Sequence, residues 1–334
     1  MATIDDMRSK ISRRFIYAKK DALGMLGLNK SYFRNARGAR ILLYHGLCNA
    51  DPTRFNGIFL TRKTFEAHLE FYKEHFNVVT LDQFYNQQFN NDKFNVCLTF
   101  DDGFANNLKY ALPLLEKYQM PATFFITAIR DAGYEILWSD FLAIVTHYGP
   151  ARLLYEDKEY RKIKKLRKYA EVATGITLAD RLKGLGFESK KQMMATLQEL
   201  FPNNPAEEDY WKQLTPGEIR QLAASPLVTI GSHSYYHNRM DKLPIGDASN
   251  ELKKSKQFLE SVTGYEISSF AFPYGNYSRQ LVEEARRIGH TQLLAMDLLY
   301  EEDKLDAAMR ERLTMNPYIS VNNQMYATVT GHYE

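Results

Sequence analysis

Lys93-Phe-Asn-Val-Cys-Leu-Thr-Phe-Asp-Asp-Gly103 is the stretch whose reading decides the fold. Residues 93–100 form a short, nearly continuous apolar run, the pattern of a strand buried on both faces. Two carboxylates and a glycine end it, and Leu108, Leu112 and Leu115 then follow at helical spacing. The same rhythm recurs in both directions. Residues 41–45 (ILLYH), 121–128 (PATFFITA), 227–230, 268–272 and 291–295 read as strands, and 64–76, 248–262 and 278–288 as helices. Buried strands alternating with helices predict an α/β protein with a parallel sheet or barrel.

The chain has 334 residues, 45% hydrophobic and 25% charged. This globular composition excludes fibrous, mucin-like and wholly disordered classes. The length suits two ordinary domains, or one barrel with about 80 residues added. A net charge of +3 does not favour nucleic acid as a partner. Cys48 and Cys97 read as reduced thiols, consistent with a cytoplasmic protein. The start lacks the apolar run of a secretory signal.

Two segments break the strand–helix rhythm. Residues 1–38 read as a basic amphipathic helix, with Met7, Ile11, Phe15, Ala18, Ala22 and Met25 forming its apolar stripe. Residues 1–40 carry ten basic side chains against three acidic ones, which leaves the remainder of the chain net negative. Either the stripe packs on the main domain, or the helix lies on an anionic membrane surface. Residues 133–215 read as a largely helical insertion, including the charge-dense stretch Arg152–Lys168 and a helix over 190–200. It is either a solvated face or an element at a functional rim.

Three short motifs carry the chemistry. In Thr99-Phe-Asp-Asp-Gly103, helix capping accounts for one Asp but not for two at the mouth of a buried strand. Adjacent carboxylates repel unless a cation or a shared proton relieves them. His233-Ser-Tyr-Tyr-His237 follows another apolar run, and its two imidazoles can reach one ion. Two unrelated histidines would give the same spacing. The C-terminal strand ends of parallel α/β folds hold active sites, which favours reading the two motifs together. Phe270-Ala-Phe-Pro-Tyr-Gly275 is a strand-ending turn that can offer the Tyr274 N–H to a developing oxyanion.

In that order the three motifs resemble the polysaccharide deacetylase family (carbohydrate esterase family 4, the NodB homology domain). Tyr44-His-Gly46 and the stretch from Thr64 to Phe84 add to the resemblance, which spans about residues 39–135 and 212–320. It implies a distorted, seven-stranded (β/α) barrel over residues 39–334, interrupted by the insertion. It also implies metal-dependent removal of an N-acetyl, or alternatively N-formyl, group from an amino sugar. By resemblance Asp101 is the general base, Asp102, His233 and His237 ligate one divalent metal, and the Tyr274 backbone N–H binds the oxyanion. The metal is foremost Zn²⁺, with Co²⁺, Ni²⁺ and Mn²⁺ as alternatives. It would polarise the amide and activate a water.

The sequence departs from the family pattern in three places. The late Leu-x-His motif, whose His is the general acid, is missing; Arg312-Leu-Thr-Met-Asn-Pro-Tyr-Ile-Ser320 stands there. Phe270 or Ala271 occupies the place of an arginine in the third motif. The Asp-x-x-Asp-Trp motif is absent, with Asp297 in a comparable place. His45, closing the first strand, is a candidate acid or substrate contact. Trp138 is a candidate sugar-stacking or core residue. The substrate is expected to be a glycan or a lipid-linked or nucleotide-linked amino-sugar precursor. The chain is expected in the cytoplasm or peripherally at the inner membrane face, with contact through residues 1–38. The alternative is a degenerate, non-catalytic glycan-binding module of the same fold.

Overall fold

The computed structural model describes residues 4–202 and 204–333, with side chains from residue 12 onward. Nine parallel strands make the main sheet: β1 (Ala39–Tyr44), β2 (Phe76–Val79), β3 (Phe94–Phe100), β4 (Ala122–Ile126), β5 (Val228–Ser232), β6 (Ser269–Ala271), β7 (Gln292–Leu294), β8 (Met309–Arg310) and β9 (Leu313–Thr314). Their order is β8-β7-β6-β5-β4-β3-β1-β9. β2 and β4 share one edge of β3, pairing with its first and second halves respectively. Every residue of β3 is buried, as its uninterrupted apolar run required.

The two ends of this order are adjacent in sequence. β8 pairs with β7 on one side and β9 pairs with β1 on the other, with Glu311 and Arg312 between them. The chain itself therefore crosses the seam. β8 and β9 act as two halves of one stave, which makes a distorted (β/α) barrel of seven staves with β2 as an added edge. Because all strands run parallel, His45, Asp101 and His233 leave β1, β3 and β5 at the same rim.

Between β4 and β5 the chain forms the helices Trp138–Tyr148, Leu178–Lys183 and Phe187–Thr196. The helical reading fails over the charge-dense stretch. Arg152–Tyr155, Lys158–Ile163 and Lys168–Glu171 form an antiparallel meander instead. The reason is local. Glu156 and Asp157 both adopt left-handed backbone (φ 48° and 56°), the two-residue turn that matches strand twist. Leu153, Tyr155 and Tyr160 then alternate inward. They join Trp138, Phe141, Val145, Tyr169 and Met193 in a core separate from that of the barrel.

The N-terminal helix spans Ile4–Met25. Residues 1–3, and the side chains of Met7, Arg8, Lys10 and Ile11, lie outside the described residues. The rest of the expected stripe does not pack on the barrel: Phe15 is 75% and Met25 86% exposed. The helix docks by other positions on the first turn of the terminal helix Val321–Thr330, which is rich in amide side chains. Asn323 Nδ2 donates to Tyr17 O (3.2 Å) and Asn322 Nδ2 to Lys20 O (2.8 Å).

Gly103 fixes the turn after β3. Its φ is +85°, and a Cβ there would lie 2.8 Å from Ile126 Cγ2. Gly133 has the same φ and nothing within 4 Å. Gly103→Ala should therefore cost about 1–3 kcal/mol more stability than Gly133→Ala, read from urea midpoints. Equal shifts would show that close packing against β4 contributes nothing.

Candidate active site

The Asp-Asp pair leaves β3 at the rim with its backbone held on both sides. Asp101 N–H donates to Tyr44 O (3.0 Å), and Thr127 Oγ1 donates to Asp102 O (3.0 Å). Asp102 itself adopts left-handed backbone (φ 75°), and Asp101 Oδ2 and Asp102 Oδ1 lie 3.7 and 3.5 Å from the same His233 Nε2. Ser234, His237 and Tyr274 are left-handed too. Strained backbone of this kind clusters at functional sites. Here it is confined to the strand-end turns that carry the three motifs and to exposed turns elsewhere.

Asp102, His233 and His237 are all buried, and one donor atom from each lies within 4.8 Å of the others. His237 Nε2 is 3.1 Å and His233 Nε2 3.5 Å from the same oxygen, Asp102 Oδ1. The His233 Nδ1–H donates to Ala271 O (2.8 Å), which leaves Nε2 with its lone pair toward the cluster. Burial works to raise the Asp102 carboxyl, but His237 and His233 outweigh it and hold it well below the usual range. Burial lowers His237. Burial works to lower His233, but the Asp101 and Asp102 carboxylates outweigh it and raise it. Two imidazoles and a carboxylate converging on one point are a donor set for a borderline divalent ion, with coordination positions left for other ligands.

Asp101 has a different partner. Arg312, from the seam, grips it with two parallel bonds, Nη1–Oδ1 and Nη2–Oδ2, each 2.7 Å. Both side chains are buried. Burial pushes Asp101 upward, but Arg312 and His233 outweigh it and hold the carboxyl below its ordinary value. Arg312 is the residue that reading the motifs missed. Phe270 and Ala271, which stand where relatives place an arginine, are buried in the barrel. The guanidinium arrives from the seam between β8 and β9, and a two-residue crossing between two very short strands leaves no periodicity to detect.

The remaining candidates fall around one cavity of about 280 Å³. His45, Asp101, Asp102, His233, His237, Tyr274 and Arg312 all line it. His45 is lowered chiefly by burial, and its Nδ1 has no partner among the described residues. Tyr274 packs its ring 4.7 Å from that of His237. Asp297 is exposed and away from the cavity. Trp138 is buried in the core of the added segment, with the Lys190 ammonium 4.9 Å from its ring.

The segment between β4 and β5 supplies part of this site. Ser139 and Asp140, in the first turn of the helix Trp138–Tyr148, line the cavity. Lys190 is fully buried and donates to Asn238, next to His237. Asn238 in turn donates to Glu251 Oε1 (2.6 Å). Burial lowers the lysine to about 8. A lysine on an amphipathic stretch reads as solvated, so only the fold could place it here.

A family model described as polysaccharide deacetylase matches residues 89–165 and 187–293. That match runs into the segment outside the resemblance read from the motifs. The protein YxkH of Bacillus subtilis (strain 168), named as a polysaccharide deacetylase, is 31% identical over 90 residues, 26% of this chain and 30% of its own length. The aligned part thus spans under a third of that relative. Two solved structures share the fold. The Streptococcus pyogenes deacetylase PplD, in complex with acetate, matches at 17% identity with a TM-score of 0.52, covering 88% of this chain and 99% of that one. A polysaccharide deacetylase from Bacillus cereus, BC0361, matches at 16% identity with a TM-score of 0.53, covering 88% and 69%.

Removing Arg312 leaves Asp101 buried without its counter-charge. Arg312→Met should cost about 3–5 kcal/mol at neutral pH in equilibrium unfolding. The native Asp101 carboxyl is depressed, so the pair's stabilisation is complete above the ordinary carboxylate range and is lost as pH falls through the native pKa. The gap between wild type and variant should therefore narrow in acid. A gap that is constant down to about pH 3 would show that the ion pair is not its source.

Proposed function

Because the chain belongs to the polysaccharide deacetylase family, we propose that it is a metal-dependent hydrolase that removes the N-acetyl group from an amino sugar. The observation that carries this reading is the convergence of Asp101 with Asp102, His233 and His237 in one buried cavity, with an arginine clamping the first carboxylate 3.7 Å from His233 Nε2. N-formyl is the close variant of the acyl group. The non-catalytic glycan-binding alternative takes support from the missing late histidine, but a binding module has no need of a buried, arginine-clamped carboxylate beside a ligand set.

Asp102, His233 and His237 would hold the ion, Zn²⁺ foremost. When bound, the ion supplies polarisation of the amide carbonyl and a lowered pKa for water. The chain's own groups do the rest. Arg312 fixes Asp101 as an aimed carboxylate, ready to take the proton of the attacking water. The Tyr274 backbone N–H, on its left-handed turn, donates to the oxygen that gains charge. His45, neutral on the cavity wall, contacts the substrate.

We place the substrate among glycans or their lipid-linked or nucleotide-linked precursors, with the protein in the cytoplasm or at the inner membrane face. The basic N-terminal helix, with Phe15 and Met25 turned outward, supports peripheral contact with anionic lipid. No helix among the described residues is long and apolar enough to cross a membrane.

Metal analysis after mild purification should find one divalent ion per chain, and Asp102→Ala and His237→Ala should lose it. A wild type with no more metal than these variants removes the ligand assignment. Asp101→Asn should keep the metal but lose acetate release from N-acetyl amino sugars by about 10²–10⁴-fold. Undiminished turnover would exclude Asp101 as the base. A screen of N-acetyl and N-formyl amino sugars in free, nucleotide-linked and lipid-linked forms separates the enzyme from the binding module.

A further inference from the structure

Amide cleavage needs a proton on the departing nitrogen, and no histidine stands where relatives keep their acid. The groups lining the cavity can be taken in turn. Asp101 is clamped as a carboxylate by Arg312. Burial pushes the Tyr274 phenol far up, too weak an acid for the step. His45 is held neutral by burial. Thr314 and Ser139 offer only hydroxyls. Asp140 remains.

Asp140 is 5% exposed and lies in the first turn of the helix Trp138–Tyr148. Asn56 Nδ2 donates to its Oδ1 (3.2 Å), while its Oδ2 is buried with no partner among the described residues. It makes no ion pair among the described residues. A buried carboxyl with one oxygen unpaired is costly as an anion and far less costly as an acid. It lines the same cavity as Asp101, Asp102, His233 and His237, but from the segment between β4 and β5 instead of from the barrel.

Resting on the deacetylase reading above, we propose that Asp140 is the catalytic general acid, its Oδ2 proton passing to the leaving nitrogen. The water oxygen bonds to the acyl carbon while its proton goes to Asp101. The C–N bond then breaks, its electron pair stays on nitrogen, and Asp140 protonates that nitrogen. The amine and the carboxylate leave, and solvent returns the proton from Asp101 to Asp140. Burial is the largest cause of the raised Asp140 carboxyl, with the charge of Asp102 second and the Asn56 bond opposing both. The arrangement divides the work, with an arginine-clamped base from the barrel and an uncharged acid from the added segment.

The test compares an amide with an ester whose leaving group needs no proton. Wild type and Asp140→Asn are assayed on N-acetylglucosamine oligomers and on 4-nitrophenyl acetate, with metal content measured on both proteins. The amide-to-ester ratio of kcat should fall about 10²–10⁴-fold in the variant, with metal content unchanged. An unchanged ratio overturns the assignment, whether both rates fall together, as for a structural role, or neither does. If the Asn variant does not fold, Asp140→Ser is read by the same ratio. A wild type inert toward amide and ester alike overturns the deacetylase reading and this proposal with it. A wild type active on both, with an unmoved ratio, overturns this proposal alone.

Discussion

The bidentate pair between Arg312 and Asp101 ties the architecture to the site. The barrel has an open seam in its hydrogen bonding, crossed by two residues, and one of them is this arginine. Its Nε also reaches toward Ala295 O (3.4 Å), and its guanidinium carbon lies 5.5 Å from the centre of the Phe125 ring. Desolvating two charges is costly, and a buried pair of this kind is weak evidence for stability. What it secures is placement. The two planar forks match, so the seam cannot shift without breaking both bonds, and the Asp101 carboxylate keeps a fixed angle, its Oδ2 3.7 Å from His233 Nε2.

That constraint explains how two adjacent carboxylates share one buried rim. Asp101 is neutralised from the seam, and Asp102 lies against His237 and His233. Each carboxylate thus has its own partners, which relieve locally the repulsion that makes the pair improbable in a simple cap. A third carboxyl, Asp140, has no counter-charge among the described residues and enters from the segment between β4 and β5. The cavity thus holds carboxyl groups in three distinct environments.

The segment between β4 and β5 belongs to the working site. It closes one wall of the cavity with Asp140, and it braces the histidine loop through Lys190 and Asn238. Its own core lets it do so from a fixed position. Charge density made Arg152–Lys168 read as helical. The inward alternation of Leu153, Tyr155 and Tyr160 was legible in principle, but the intervening Lys and Arg residues and the unremarkable Glu-Asp turn masked it.

The sequence by itself determined the strand–helix alternation, the boundaries of β1 and β3–β7 to within a few residues, and the motifs that place Asp101, Asp102, His233 and His237 at strand ends. These are local signals, since apolar runs, turn residues and short spacings survive in one dimension. Tertiary structure alone decided which strands meet, that Arg312 reaches Asp101 from across the seam, and that Lys190 and Asp140 are buried. It also decided that the stripe at Phe15 and Met25 faces outward. Each of these depends on partners far away in sequence. A buried charge is recognisable only by the group that compensates it, and that group is known only once the chain has closed.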